Sequence, residues 1–460
     1  MKNPQLLWHS ALLLLGFLAV ASFQAYDDFS DLRGPYCSQI GCCRNRKDSC
    51  SKEIVGTLCY CDDFCNRTDV HDCCPDYWSH CWGLDIVTPP PPPTTRAPPE
   101  EIRSCTYRNQ NYRVNATIRD NCKRCQCIAS GIRKVEMMCD PDVCIIEEDI
   151  LYNVNADEHG WTASNYSKFW GETLKRGIKY RLGTSQPQKD VMRMNAVKRY
   201  YDPEALPRQF DSYTRWPRYI TEIQDQGWCG SSWAISTAAV ASDRYGIISK
   251  GKEEVQLSAQ NILSCLPRGQ GCEGGRLDKA WTFVRKYGVV DEPCFPYTGQ
   301  TTTACTVRRA GPLRAAGCTP PKYSDRTERY KVGPAYRLGN ETDIMFEIMR
   351  SGPVQATMRV YHDFFSYKGG VYKHTGLSVP HLKGYHSVRI VGWGEKFTPR
   401  GIQKFWKVAN SWGYDWGENG YFRIIRGTNE CDIESFVLAV WSEVDRRILT
   451  ASSYLNSNTI

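Results

Sequence analysis

The sequence predicts an α+β chain in which small disulfide-rich modules precede one full-sized domain. Three observations carry this. A length of 460 residues accommodates one large domain together with smaller modules. The 23 cysteines fall into three groups: ten from Cys37 to Cys81, six from Cys105 to Cys144 and seven from Cys229 to Cys431. A proline run divides the first two groups, and a cysteine-free stretch from Asp149 to about Leu206 divides the last two. The mixed α and β character belongs to the third group and rests on motifs spread from Leu206 to Ser435.

Residues 1–21 read as a secretory signal, with Lys2 near the start, an apolar run from Ala11 to Ala21 and the small-residue exit Ala19-Val20-Ala21. The run is too short for a membrane span, and no later apolar stretch has spanning length. Cysteine at this density is a framework outside the cell and a liability in a reducing cytosol. His is scarce among the cysteines, so no metal is expected, and no cofactor is implied. A net charge of +8 is mild for this length, and nucleic acid is not a fitting partner for an exported chain. Four sequons, at Asn66, Asn115, Asn165 and Asn340, fit a secreted glycoprotein.

The first module, 33–84, is poor in aliphatic residues and cannot bury much core, so disulfides must staple it. Its tail reads Cys59-Tyr-Cys61-Asp-Asp-Phe-Cys65, then Cys73-Cys74-Pro-Asp-Tyr-Trp-Ser-His-Cys81. With its adjacent cysteine pair, this resembles the somatomedin-B family, whose usual eight cysteines it exceeds by two. Residues 88–100 carry Thr-Pro-Pro-Pro-Pro-Pro-Thr-Thr-Arg-Ala-Pro-Pro-Glu. Proline fixes φ and removes donors, so a polyproline-II spacer of roughly 40 Å is expected there. The second module, 103–146, carries Cys122-Lys-Arg-Cys125-Gln-Cys127, then Cys139 and Cys144, and resembles part of a von Willebrand factor C repeat. A redox Cys-x-x-Cys is the competing idea; no βαβ pattern surrounds it, which favours structural disulfides.

In the segment 149–205, apolar residues between Asn165 and Gly183 are spaced for short helical turns, and this part resembles the pro-segment of cathepsin B-like proteases. The largest resemblance runs over 206–446. Leu206-Pro-Arg-Gln-Phe-Asp211 looks like a mature start. Gln226-Gly-Trp-Cys229-Gly-Ser-Ser232-Trp233 looks like a nucleophile segment, His386-Ser-Val-Arg-Ile-Val-Gly-Trp393 like the His segment, Asn410-Ser-Trp412-Gly like the orienting Asn, and Asn429-Glu-Cys431-Asp-Ile-Glu-Ser435 like a cathepsin B-like ending. The resemblance implies a papain-like cysteine-peptidase two-lobe fold. A helical half would be opened by a long helix starting at Ser232, and a β-rich half would carry His386 and Asn410. It also implies that Cys229 pairs with Cys272, adds Cys265, Cys294, Cys305 and Cys318 as disulfide candidates, and leaves Cys431 free. In the first module the candidates are Cys59, Cys61, Cys65, Cys73, Cys74 and Cys81.

The chemistry of that family needs a low-pKa thiolate beside an imidazolium, steadied by Asn, with Gln226 donating to the oxyanion. Here Ser232 stands at the thiolate position. A serine hydroxyl is not ionised at neutral pH and needs a strong base; exchanging the carboxylate behind such a base for an amide costs about 10⁴ in turnover. Gln226, Ser232, His386 and Asn410 are therefore expected to form an inactive site. Tyr385, where these enzymes carry Gly, is expected to crowd the cleft, and Phe436 replaces an acidic specificity residue. Ser231 is an ordinary serine of the motif.

From end to end the arrangement is closest to the tubulointerstitial nephritis antigen family. That likeness implies a secreted, non-catalytic glycoprotein of extracellular matrix and basement membrane that acts by adhesion. Laminin, type IV collagen, integrins and secreted signalling proteins are the partner classes it suggests. Residual serine-type hydrolysis, or a decoy for protease substrates and inhibitors, are the alternatives. Residues 301–337 hold eight Lys/Arg, including Arg308, Arg309, Arg314, Arg329, Lys331 and Arg337, against Asp325 and Glu328. Such a segment suits sulfated glycans or acidic partners, against the plainer reading of a solvated basic face.

Overall fold

The computed structural model describes residues 34–54, 57–66, 72–84, 104–130, 134–156, 159–192, 196–197, 201–307, 329–377, 383–399 and 401–443. The signal, the proline run, Cys318 and most of the basic segment lie outside them. The chain divides into two compact units, Met1–Glu101 and Ile102–Ile460.

The first unit has a core made largely of sulfur. Helix α1 (Cys37–Ile40), strands β1 (Ser51–Ile54) and β2 (Thr57–Tyr60), and helix α2 (Tyr77–Trp82) surround six buried cysteines together with Ile54 and Tyr77. Five disulfides close it: Cys37–Cys61, Cys42–Cys81, Cys43–Cys50, Cys59–Cys74 and Cys65–Cys73. A core this small stabilises little by burial, so restricting the unfolded chain must contribute much of the stability. The Asp76 carboxylate accepts the Cys37 N–H at 2.9 Å, capping α1 from 39 residues away. Asn66 ends a 3₁₀ turn.

The second unit opens with hairpin β3 (Ser104–Tyr107) and β4 (Gln110–Arg113), then a three-stranded sheet of β5 (Thr117–Asp120), β6 (Lys123–Ala129) and β7 (Val135–Cys139). Disulfides Cys105–Cys127, Cys122–Cys144 and Cys125–Cys139 fasten it. Immediately after Cys144, Ile145 and Ile146 are fully buried in the main core. Asn121 accepts the Gly171 N–H at 2.8 Å and donates to the Ile146 carbonyl at 2.6 Å, fastening this sheet to the larger domain.

Helix α3 (Glu148–Ala156), strand β8 (Trp161–Ala163), and helices α4 (Leu174–Arg181) and α5 (Lys189–Met192) occupy the pro-segment-like stretch. Thr173 caps α4 through its side chain. Strand β9 (Phe210–Asp211) and helix α6 (Ser212–Arg215) lead to α7 (Ser232–Ile248), whose start matches the sequence expectation. Fourteen of the seventeen residues of α7 are buried, which makes it a core helix, not an amphipathic one. Helices α8 (Ala259–Cys265) and α9 (Leu277–Tyr287) pack on it to form the helical lobe.

The β-rich lobe contains β10 (Tyr336–Leu338), helix α10 (Glu341–Ser351), and strands β11 (Val354–Val360), β12 (Tyr367–Tyr372), β13 (Gly384–Thr398), β14 (Gly401–Ala409), β15 (Tyr421–Ile425) and β16 (Val437–Ala439). They form one sheet in the order β10-β16-β11-β13-β14-β15-β12-β8, with β9 also pairing with β13. Strand β8, from the stretch before 206, is thus the edge of the main sheet and runs antiparallel to β12.

Two buried ion pairs hold the lobes in register. Arg389 on β13 reaches Asp243 on α7 at 2.6 Å, and Arg244 reaches Glu347 on α10 at 3.0 Å. Because α7 begins at Ser232 and β13 carries His386, these pairs set how the two faces of the cleft meet. Asn115, Asn165 and Asn340 are exposed. The Asn340 Oδ1 also caps α10 by accepting the Asp343 N–H at 2.8 Å, leaving Nδ2 as the atom a glycan would use. No helix among the described residues is long and apolar enough to cross a membrane.

Candidate functional site: an occupied cleft

The cleft is built from the first turn of α7, the beginning of β13, the residue after β14 and the loop before α7. Cys229 bonds Cys272, and the Gly230 N–H donates to the Cys272 carbonyl at 2.9 Å, which places Ser232 at the mouth of the helix. Cys265 bonds Cys305, and Cys294 is also disulfide-bonded. Gly275 needs its missing side chain, since a Cβ there would stand 2.3 Å from the Trp233 ring.

His386 and Asn410 meet. Asn410 Oδ1 lies 2.7 Å from His386 Nε2 and also accepts the Ser411 N–H at 2.8 Å, which identifies that atom as the oxygen. Nε2 must therefore carry the imidazole proton, leaving Nδ1 as a bare acceptor with no hydrogen-bond partner among the described residues. Burial pulls the His386 pKa down to about 4; the bond to Asn410 and the nearby Leu182 carbonyl oppose this and lose. At neutral pH the ring is an uncharged, weak base. Trp412, fully buried, lies against it with ring centroids 5.3 Å apart.

Ser232 has no hydrogen bond to His386. Its Oγ lies 2.9 Å from Thr184 Oγ1, which is 2.9 Å from Ser387 Oγ, which is 2.8 Å from Ser236 Oγ. Ser236 in turn donates to the Ser232 carbonyl at 2.6 Å. Each hydroxyl has a single proton, so the directions follow by counting. Ser236 spends its proton on the Ser232 carbonyl, Ser387 gives to Ser236, Thr184 gives to Ser387, and Ser232 gives to Thr184. The result is a chain that starts at the Ser232 hydroxyl and ends on the Ser232 carbonyl, each bond polarising the next, further held by Gln355 Nε2 donating to Ser236 at 2.7 Å. The Ser232 proton points at Thr184 and away from the imidazole.

The Gln226 side chain is fully engaged in hydrogen bonds. Its amide donates to the carbonyls of Cys229 at 2.8 Å, Leu182 at 3.2 Å and Tyr180 at 3.3 Å, while its Oε1 accepts from Ser411 Oγ at 2.7 Å. The oxyanion donor anticipated from the motif is thus engaged by the Cys229 carbonyl and by backbone of the stretch before 206. That stretch fills the cleft. The Thr184 N–H donates to the Tyr385 carbonyl at 3.1 Å, Ser185 N–H to Gly275 at 2.8 Å, and Gly275 N–H to Gly183 at 2.8 Å, so the strand is paired with both walls. Gly183, at φ +102°, lies so close to Gly230 that a Cβ would stand 2.1 Å from its carbonyl. Tyr385 does stand in the cleft, but its backbone serves the pairing while its side chain lines a cavity of about 430 Å³ shared with Gln186, Pro187, Met192 and Phe436.

The remaining nucleophile candidates are otherwise engaged or inert. Ser231 Oγ bonds Tyr297 at 2.5 Å and the Cys229 carbonyl at 3.3 Å. Cys431 is free and buried, and burial, followed by the charge of Glu430, pushes its thiol well up. Within the basic segment, Arg329 is 8% exposed and Arg337 donates to the Met192 carbonyl at 2.7 Å, so these two do not belong to a solvated basic face. Sequence reasoning does not find Thr184, Ser236, Ser387 or Gln355. Thr184 lies 48 residues before Ser232 and Ser387 lies 155 after it, and no local pattern links them.

Residues 206–441 match the papain family cysteine protease family. A "Tubulointerstitial nephritis antigen-like" protein of Homo sapiens is 46% identical over 434 residues, covering 90% of this chain and 90% of that protein. The "Tubulointerstitial nephritis antigen" of Bos taurus is 40% identical over 89% of this chain and 88% of its own length. Among solved structures, "proCathepsin B S9 from Trypanosoma congolense" superposes with a TM-score of 0.55 at 32% identity, covering 66% of this chain and all of that one. The chain belongs to the papain family of cysteine proteases and, within it, to the tubulointerstitial nephritis antigen-like proteins.

Proposed function

We propose that the chain is a secreted glycoprotein of the extracellular matrix in which a cathepsin B-like domain with Ser232 at the nucleophile position serves as a non-catalytic scaffold for protein binding and adhesion. The observation that carries this reading is the hydroxyl chain from Ser232 through Thr184 and Ser387 to Ser236. The Ser232 proton is committed to Thr184, and the imidazole beside it is neutral, of low basicity and without a donor at Nδ1. General-base catalysis needs the proton within hydrogen-bond reach of the base. The engaged Gln226 amide supports the same reading, because an oxyanion donor acts only if it is free to meet the developing charge.

A decoy that holds peptides or protease inhibitors in the cleft finds less support, since Gly183, Thr184 and Ser185 occupy the backbone pairing such a ligand would use. Binding therefore falls to outer surfaces and to the amino-terminal modules, with laminin or type IV collagen, integrins, secreted signalling proteins and sulfated glycans as the partner classes. The ten described disulfides fit an oxidising compartment. The test is binding of the full glycosylated chain to immobilised laminin, type IV collagen and heparin, with single-module proteins run in parallel. Saturable binding to a matrix component, unchanged by Ser232→Ala, is the expected result. Loss of that binding on Ser232→Ala, or no binding to any matrix component, contradicts the scaffold reading.

A further inference from the structure

In the cleft, the stretch before 206 is bonded as an integral part of the fold. Trp161, Tyr166, Phe169, Leu174 and Leu182 are buried in the same cluster as Phe364, Tyr367, Trp412 and Trp416 of the β-rich lobe. Strand β8 completes the main sheet through β12. The Tyr166 hydroxyl donates to the Tyr367 carbonyl at 2.7 Å and accepts the Gly417 N–H at 2.8 Å. Arg181, its side chain 4% exposed, reaches Asp225 at 2.7 Å, and the Arg181 carbonyl accepts the Trp412 indole N–H at 2.6 Å. Trp228 is flanked by the guanidinium groups of Arg176 and Arg181, each 4.8 Å from its ring. Lys168 meets the Trp412 carbonyl and Asp415. None of this is covalent, because all sixteen cysteines before 206 pair among themselves.

We infer that residues 159–192 form a permanent strap that stays seated in the cleft when the chain is cut between 192 and 206, and that Ser232 is its anchor. A serine at this position supplies the hydroxyl that donates to Thr184, so the residue that removes the thiolate also holds the strap. The inference rests on the non-catalytic reading of the same cleft and goes beyond it, since an inactive site does not by itself require a retained strap.

The experiment uses the full chain with residues 198–200 replaced by a site-specific endoprotease sequence. After cutting, native size exclusion should give one species, which resolves into two chains only on denaturation without reductant. On dilution, Ser232→Ala should release the amino-terminal chain about tenfold faster, the scale of one lost hydrogen bond. Gly183→Ala, whose Cβ collides with Gly230, should release it faster still. Separate elution of the two chains in the parent protein overturns the strap, and equal release rates for the parent and the Ser232→Ala variant overturn the anchor. A second readout needs neither cut nor variant: the amides of Ser185 and Gly275 should exchange as slowly as those of β13. Exchange orders of magnitude faster than β13 overturns retention. If the strap leaves and no peptide hydrolysis follows, the strap inference fails and the non-catalytic reading stands; if hydrolysis follows, both fail.

Discussion

Phe169→Ala tests whether the strap is part of the folding unit or a separately docked plug. Phe169 is fully buried. Its ring makes edge contacts with Phe365 and Trp412, each at 5.7 Å, with Tyr166 at 6.1 Å and with Trp228 at 6.4 Å. Removing a buried Phe costs about 3–5 kcal/mol through lost transfer energy and the cavity left behind. The aromatic neighbours add about 0.5–1.5 kcal/mol per pair, which places the expected loss at the upper end of that range. The assay is urea unfolding of the full chain with disulfides intact, followed by far-ultraviolet circular dichroism and tryptophan fluorescence. If the strap shares the core, both signals shift together to lower urea by the equivalent of about 5 kcal/mol, with the slope unchanged. A docked plug behaves differently: the variant would detach locally, the main transition would stay within about 1 kcal/mol of the parent, and a separate early transition would appear. That second outcome refutes a shared core.

Other outcomes come from the same geometry. With its pKa held at about 4, His386 stays neutral in the folded chain while the unfolded chain protonates it near the ordinary value of 6.5. Its contribution is therefore present above pH 6.5 and lost as the pH falls toward 4, by about 3 kcal/mol at most; His386→Gln should flatten the urea midpoint over that window. Asp243→Ala strands the buried Arg389 guanidinium and should cost about 3–5 kcal/mol, whereas the double replacement Asp243→Leu with Arg389→Met should recover most of it, as measured by thermal or urea unfolding. Ser232→Cys should give no turnover of a broad peptide set and no labelling at position 232 by a thiol-directed probe while the strap is seated. Turnover by that variant would show that the cleft is open.

The amino-acid order reveals the two-lobed domain because its markers are local: the segments around Cys229, His386 and Asn410 each carry several defining residues in a short span. The long helix starting at Ser232 and the free Cys431 come from the same segments. What the chain hides is the consequence of distant parts meeting. Thr184, Ser387 and Ser236 are ordinary hydroxyl residues until α7, β13 and the strap bring Ser387 within 3 Å of both of the others. The motif alone gives Gln226 an oxyanion role; the strap carbonyls of Tyr180 and Leu182, together with that of Cys229, take up its amide. Likewise Arg329 and Arg337 count as surface charge in composition, yet tertiary packing buries one and ties the other to the strap. Cysteine spacing suggests a break near residue 146, whereas Ile145 and Ile146 pack into the core of the larger domain, because cysteine density marks stapling and not where apolar residues go.

The most direct test of the non-catalytic scaffold is hydrolysis itself. Purified full-length chain should be incubated with a diverse peptide library from pH 4 to 8, beside its Ser232→Ala variant, with cleavage products read by mass spectrometry. Identical product profiles for the two proteins, at the level of buffer alone, are predicted. Peptide cleavage by the parent that disappears in Ser232→Ala would contradict the account.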